Sequence, residues 1–220
     1  MGLWKRLFGR KDIDVSNRGS GKVAKAFGQE YSADEANNFD KLAGIEYLAG
    51  NYPNAELWLK AAVAMDEKDL GKSHFMILDR MSKLCILFFI KGNLDAAKSG
   101  LAYLWQKKSG QHDITSARIL FVLLTIALLE SQPTIQFVEK LKTLLTSESL
   151  PDYTYADSKK AWNLTRFIEH IGPKLPPGNA DFLTTLAVVF SDRSKLPDLD
   201  RYSTWYEAGA QGSGSTERRE

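Results

Sequence analysis

Gly50-Asn51-Tyr52-Pro53-Asn54-Ala55 returns forty-two residues later as Gly92-Asn93-Leu94-Asp95-Ala96-Ala97. In each copy the Gly suits a left-handed helix end and the Asn suits the cap of the next helix. The surroundings repeat too. Counting back from each Gly finds Phe39, Leu42, Ala43 and Tyr47 in the first copy and Met81, Leu84, Cys85 and Phe89 in the second. Counting forward matches Ala55 with Ala97 and Leu59 with Leu101. A period near forty, with small residues at matched places, predicts stacked helical hairpins whose helices cross too closely for a large side chain. The fold class expected is all-α.

Working outward, Ser32-Ala33-Asp34-Glu35 has the form of a capping box and predicts a first helix from there to Ala49. A second helix, opened by Asn51 with Pro53 in its first turn, should reach Met65. The second hairpin is expected over 69–91 and 94–108. The third runs from a cap at Asp113 to Glu130 and from Pro133 to Thr146, without the Gly-Asn turn. A fourth pair over 152–171 and 179–191 is joined by the Pro-rich Gly172-Pro173-Lys174-Leu175-Pro176-Pro177-Gly178.

The flanks differ in character. Residues 1–31 hold seven Lys or Arg and three Asp or Glu, a net charge of +4, which leaves −2 for the rest of a chain whose total is +2. Met1 to Asp12 form a short basic amphipathic segment. On a helix Leu3, Trp4, Leu7 and Phe8 share a face flanked by Lys5, Arg6, Arg10 and Lys11, a pattern suited to an anionic membrane surface. Residues 13–31 read as a flexible linker, 32–196 as the helical domain and 197–220 as a mostly disordered tail. The tail aromatics Tyr202, Trp205 and Tyr206 are expected to pack back on the last helices.

Several functions find no support in this pattern. The near-neutral body lacks the basic face of a nucleic-acid binder. The longest apolar run, Ile119 to Leu129, is about half the roughly 20 residues of a membrane span. No secretory core follows the basic start, so a cytoplasmic location is expected. Gly19-Ser20-Gly21-Lys22 lacks the first Gly and the final Ser or Thr of a phosphate loop. Asp66, Lys68, Leu70 and Gly71 fail as a calcium loop because Lys68 and Leu70 stand at ligand positions, so this stretch reads as a solvated inter-repeat loop. His74, His112 and His170 have no metal-ligand spacing, and the lone Cys85 sits in an apolar run as a small core residue. No catalytic residue, cofactor or metal is expected.

These residues resemble the tetratricopeptide repeat family. Its pattern is a small residue in the first helix, a turn Gly, then Ala and a second small or apolar residue in the second helix. Ala43, Gly50, Ala55 and Ala62 supply it in one unit and Cys85, Gly92, Ala97 and Leu104 in the next. The likeness covers about residues 36–108 closely and 113–191 by helix spacing alone. Its period exceeds the family's usual length of about 34, and Glu67 stands where the family has Pro, so a related helical-hairpin solenoid fits as well.

The resemblance implies a right-handed superhelix of three to four hairpins whose first helices line a groove for a protein or peptide partner. Its lining would be Asn37, Asp40, Gly44 and Tyr47 from the first unit, Asp79, Ser82, Ile86 and Phe89 from the second, and Arg118, Phe121 and Thr125 from the third. Tyr47, Phe89 and Arg118 would be the anchors. Asp40 and Gly44 replace the Lys and Asn with which family members clamp chaperone tails. The function expected is an adaptor or scaffold, held weakly at the inner membrane face by its N-terminus. The alternatives are a sensor for a small molecule or signalling peptide and a subunit of a larger assembly.

Overall fold

The computed structural model describes residues 33–71, 73–108, 110–147, 164–176 and 178–202, and among them every regular element is helical. In chain order these are α1 (Ala33–Leu48), α2 (Tyr52–Leu70), α3 (Phe75–Ile90), α4 (Leu94–Lys108), α5 (Ile114–Leu129), α6 (Ile135–Thr146), α7 (Leu164–Ile171) and α8 (Asn179–Ser191). Short 3-10 helices cover Gly172–Lys174 and Arg193–Tyr202. The chain divides into two compact units, one ending at Lys107 and the other beginning at Lys108.

The first unit is built on the repeated turn. Gly50 adopts φ 77° and Gly92 φ 80°, a region that favours glycine. Around Gly50, Asn51 N–H donates to the Glu46 carbonyl and Gly50 N–H to that of Tyr47. Around Gly92, Asn93 N–H donates to Phe88 and Gly92 N–H to Phe89. This is one motif used twice, and it satisfies carbonyls that a helix end leaves open. The two Asn residues differ, since Asn93 Oδ1 accepts the Ala96 N–H at 3.3 Å whereas the Asn51 side chain makes no cap bond. Pro53 occupies the first turn of α2 as expected.

α1 turns Ala36, Ala43 and Tyr47 inward, and α2 buries Ala55, Leu59, Ala61, Ala62 and Val63. Phe39 of α1 stacks on Trp58 of α2 with centroids 5.3 Å apart. α3 is buried at every position from Arg80 to Ile90. α4 buries Ala97, Leu101 and Leu104.

The boundary between α2 and α3 departs from the sequence reading. α2 runs past Met65 to Leu70 and stops at Gly71, φ 78°, while α3 starts at Phe75 after His74, whose Nδ1 accepts the Met76 N–H at 3.4 Å. Asp66 is therefore a helical residue, not part of a solvated loop. The expected capping box at Ser32 lies outside the described residues.

In the second unit, Asp113 caps α5 as expected, accepting the Ser116 N–H at 2.8 Å and the Ser116 hydroxyl at 3.0 Å. The buried Lys108 ammonium pairs with the same carboxylate. Phe121 of α5 packs edge-on against Phe167 of α7 and Phe190 of α8, with centroids 6.2 Å and 5.8 Å away. α6 buries Val138, Leu141, Leu144 and Leu145.

The turn between α5 and α6 carries a third copy of the motif that the sequence had concealed. Ser131 takes φ 53° in place of Gly, its N–H donates to the Leu128 carbonyl, and Gln132 N–H donates to that of Ala127. α8 has the expected bounds. After an extended Asp192 the chain turns helical again from Arg193 to Tyr202, so the expected loosening at Pro197 falls inside an ordered element. Leu199 is fully buried there, and Tyr202 packs on Phe182 at 5.2 Å with its hydroxyl 3.2 Å from Thr185 Oγ1. Tyr202 thus packs back as expected, while Trp205, Tyr206 and residues 152–163 lie outside the described residues.

Candidate functional site

The most polar feature of the first unit is a buried charge cluster shared by three helices. α3 is apolar over most of its length, yet Arg80 and Lys83 project from it into the interior, with Arg80 only 1% exposed. A guanidinium in such a place must be paired to offset its lost hydration. Arg80 Nη1 pairs with the Asp66 carboxylate of α2, itself 2% exposed, and Nη2 donates to Asn37 Oδ1 of α1 at 2.7 Å. Arg80 Nε lies 3.9 Å from Asp40 of α1.

One turn on, Lys83 Nζ donates to both Asp40 oxygens, at 3.0 Å and 2.7 Å, and lies 2.9 Å from Asp79 of its own helix. Three carboxylates thus hold two cations, a net formal charge of −1. Burial pushes the Arg80 guanidinium below its ordinary value, and the Asp40 carboxylate opposes that shift. Among the described residues no group of three or more His, Cys, Asp or Glu is placed to hold a metal. What the geometry does is clasp α1, α2 and α3 together by directional bonds.

The cluster unites some of the residues expected to line a groove. Asn37, Asp40 and Asp79 meet there and stay part-exposed at its edge. Tyr47 (1% exposed), Ser82, Ile86 and Phe89 (5%), as well as Gly44, are instead buried in the first unit. Arg118, Phe121 and Thr125 are buried in the second. The physical reason is that these positions are packed over within their own unit. α3 is covered at every position from Arg80 to Ile90, and α5 along nearly all of its own length, so neither leaves a bare apolar stripe at those positions.

Asp66, Arg80 and Lys83 did not emerge from the sequence reading as a site. The signal that finds them is the pair Arg80 and Lys83 within an apolar helix, since charges in such a helix need partners. The membrane-facing candidates Leu3, Trp4, Lys5, Arg6, Leu7, Phe8, Arg10 and Lys11 lie outside the described residues. No described helix is long and apolar enough to cross a membrane.

No protein-family model matches this chain, and no curated protein matches it either.

Proposed function

We propose that this protein is a helical-hairpin binding module, an adaptor that holds a protein or peptide partner along the first helices of its repeats. The observation that carries this reading is the one turn geometry closing three successive hairpins, at Gly50, Gly92 and Ser131. Arrays of such hairpins present long surfaces suited to partner chains. A right-handed superhelix of the tetratricopeptide kind is supported by the burial of Ala43, Ala55, Ala62, Cys85 and Ala97, the small positions that the resemblance requires.

Burial of Tyr47 and Phe89 moves the proposed contact surface to Asn37, Asp40 and Asp79 at the edge of the charge cluster. The test is capture of partners by the full-length protein from its own cells, followed by hydrogen-exchange footprinting of the isolated complex. The reading expects a stoichiometric protein partner and protection over 33–48 and 75–90. Absence of such a partner, or protection confined to other helices, would end it.

The reading extends to the N-terminus. Leu3, Trp4, Leu7 and Phe8, with Lys5, Arg6, Arg10 and Lys11, bring the adaptor to anionic membrane surfaces on the cytoplasmic side. Full-length protein should float with phosphatidylserine vesicles and a chain lacking residues 1–11 should not. Equal flotation of the two would remove this part of the proposal.

A further inference from the structure

α1 is apolar on two faces. One carries Ala36, Ala43 and Tyr47 into the core, and the other leaves Leu42, Ile45 and Leu48 at 38%, 62% and 40% exposure, beside the exposed Asn38 and Lys41. Spacing of three residues sets these three side chains along one broad face about 9 Å long. α1 is the first described helix, and the outermost helix of a hairpin array ordinarily needs a polar outer face. Ile45 in particular is a large β-branched side chain held in water with no described element over it.

From these features we propose that the N-terminal segment of the same chain covers this stripe, with Leu3, Trp4, Leu7 and Phe8 laid against Leu42, Ile45 and Leu48.

The chain itself supplies the argument for this occupant. Thirty-two residues precede α1, and their far end carries an apolar face whose length as a helix, about 8 Å, matches the stripe. The intervening residues span up to about 3.3–3.6 Å each, several times the roughly 24 Å length of α1, so the segment reaches in either orientation. Being tethered, it meets the stripe at an effective concentration on the order of millimolar, and a weak contact suffices.

The size of the stripe argues against a second copy. Three part-exposed aliphatic side chains make a patch of at most a few hundred Å², well short of the about 800 Å² per partner of a stable complex. Docked in this way, the four apolar side chains are withheld from a bilayer, so the N-terminus is exposed to membranes only in the undocked fraction of molecules. The inference does not rest on the partner-binding reading.

The test places a nitroxide on the full-length chain at Lys5→Cys, which the buried Cys85 allows as a single labelling site, and follows the Ile45 δ1-methyl signal by NMR. Most of the Ile45 intensity should be lost, while the Ile77 methyl, buried elsewhere in the unit, keeps its own. Adding Leu7→Asp and Phe8→Asp to the labelled chain should restore Ile45, and these N-terminal changes leave the packed helices untouched. Unchanged Ile45 intensity, or a loss that the two Asp substitutions do not reverse, would overturn the proposal. So would a loss seen when nitroxide-bearing chains are mixed with isotope-labelled, nitroxide-free ones, because that assigns the stripe to a second copy.

Discussion

Arg80 illustrates how one side chain can tie three helices. Its charge is stabilised only while Asp66, Asn37 and Asp40 stay in place. Replacing Arg80 by Met strands the Asp66 carboxylate, and loss of one partner of a buried pair costs about 3–5 kcal/mol. Combining Arg80→Met with Asp66→Leu should recover much of that loss, because no charge then remains buried at the pair. Urea denaturation of the two single variants and the double measures this cycle, and single-variant losses under about 1 kcal/mol would show the cluster to be solvated. Cys85 offers a second check. Burial pushes its thiol up to about 12, so almost no thiolate exists near neutral pH. A thiol reagent should modify it only in denaturant, and rapid reaction in the folded protein would mean that the second hairpin opens. The burial of Cys85, Ala43 and Ala55 was readable from their repeated positions. The pairing of Asp66 with Arg80 was not, because it depends on the last turns of α2, which place Asp66 on a helix.

The three interhelical turns show why element boundaries were unevenly legible. Gly50 and Gly92 announce themselves, since a left-handed residue costs any side chain about 1–2 kcal/mol. No atom stands within 4 Å of a Cβ added at either, so Gly50→Ala and Gly92→Ala should each lose about that much through the backbone alone. Ser131 adopts the same conformation against its preference and so hid the third turn. Ser131→Gly should gain from a few tenths to about 1 kcal/mol, the relief being partly offset by a freer unfolded chain. Thermal or urea melts of the three variants decide both signs. Between hairpins, Glu56 of α2 meets Lys60 at 2.6 Å and Lys91, just beyond α3, at 2.5 Å. Burial alone pushes the Glu56 carboxyl up, but its hydrogen bonds to Lys60 and Lys91 outweigh that and leave it below its ordinary value. A carboxyl depressed in the folded state contributes its full stability above the unfolded value of about 4.3 and loses it as pH falls through the folded one. Urea midpoints at pH 6 and pH 3 should therefore differ less in Glu56→Gln than in the native chain. The bounds of α4 and α8 were legible because Gly92 and Gly178 precede them, whereas the gap between α2 and α3 was lost to the Leu70-Gly71 stretch, which reads equally as loop and as helix end.

The two units divide the molecule by chemistry. The first is held by an ionic clasp set in an apolar core, and the second by aromatic packing around Phe121 with the 3-10 helix ending at Tyr202 returned onto α8. If the N-terminal segment docks on α1, then Ile45→Asp should free it and raise capture of the full-length protein by phosphatidylserine vesicles several-fold. Unchanged capture would separate membrane binding from the α1 stripe. The all-α class, the repeated hairpin turn and the small buried positions follow from residue order alone, because each rests on local periodicity or on the conformational freedom of single residues. Which apolar residues become core and which stay at a surface did not, since Tyr47 and Phe89 looked suited to a groove and are buried, while Leu42, Ile45 and Leu48 are exposed. Burial is a property of what packs against a helix, and that is settled by contacts between segments some forty residues apart; the local sequence can show that Arg80 and Lys83 need partners but not which residues supply them.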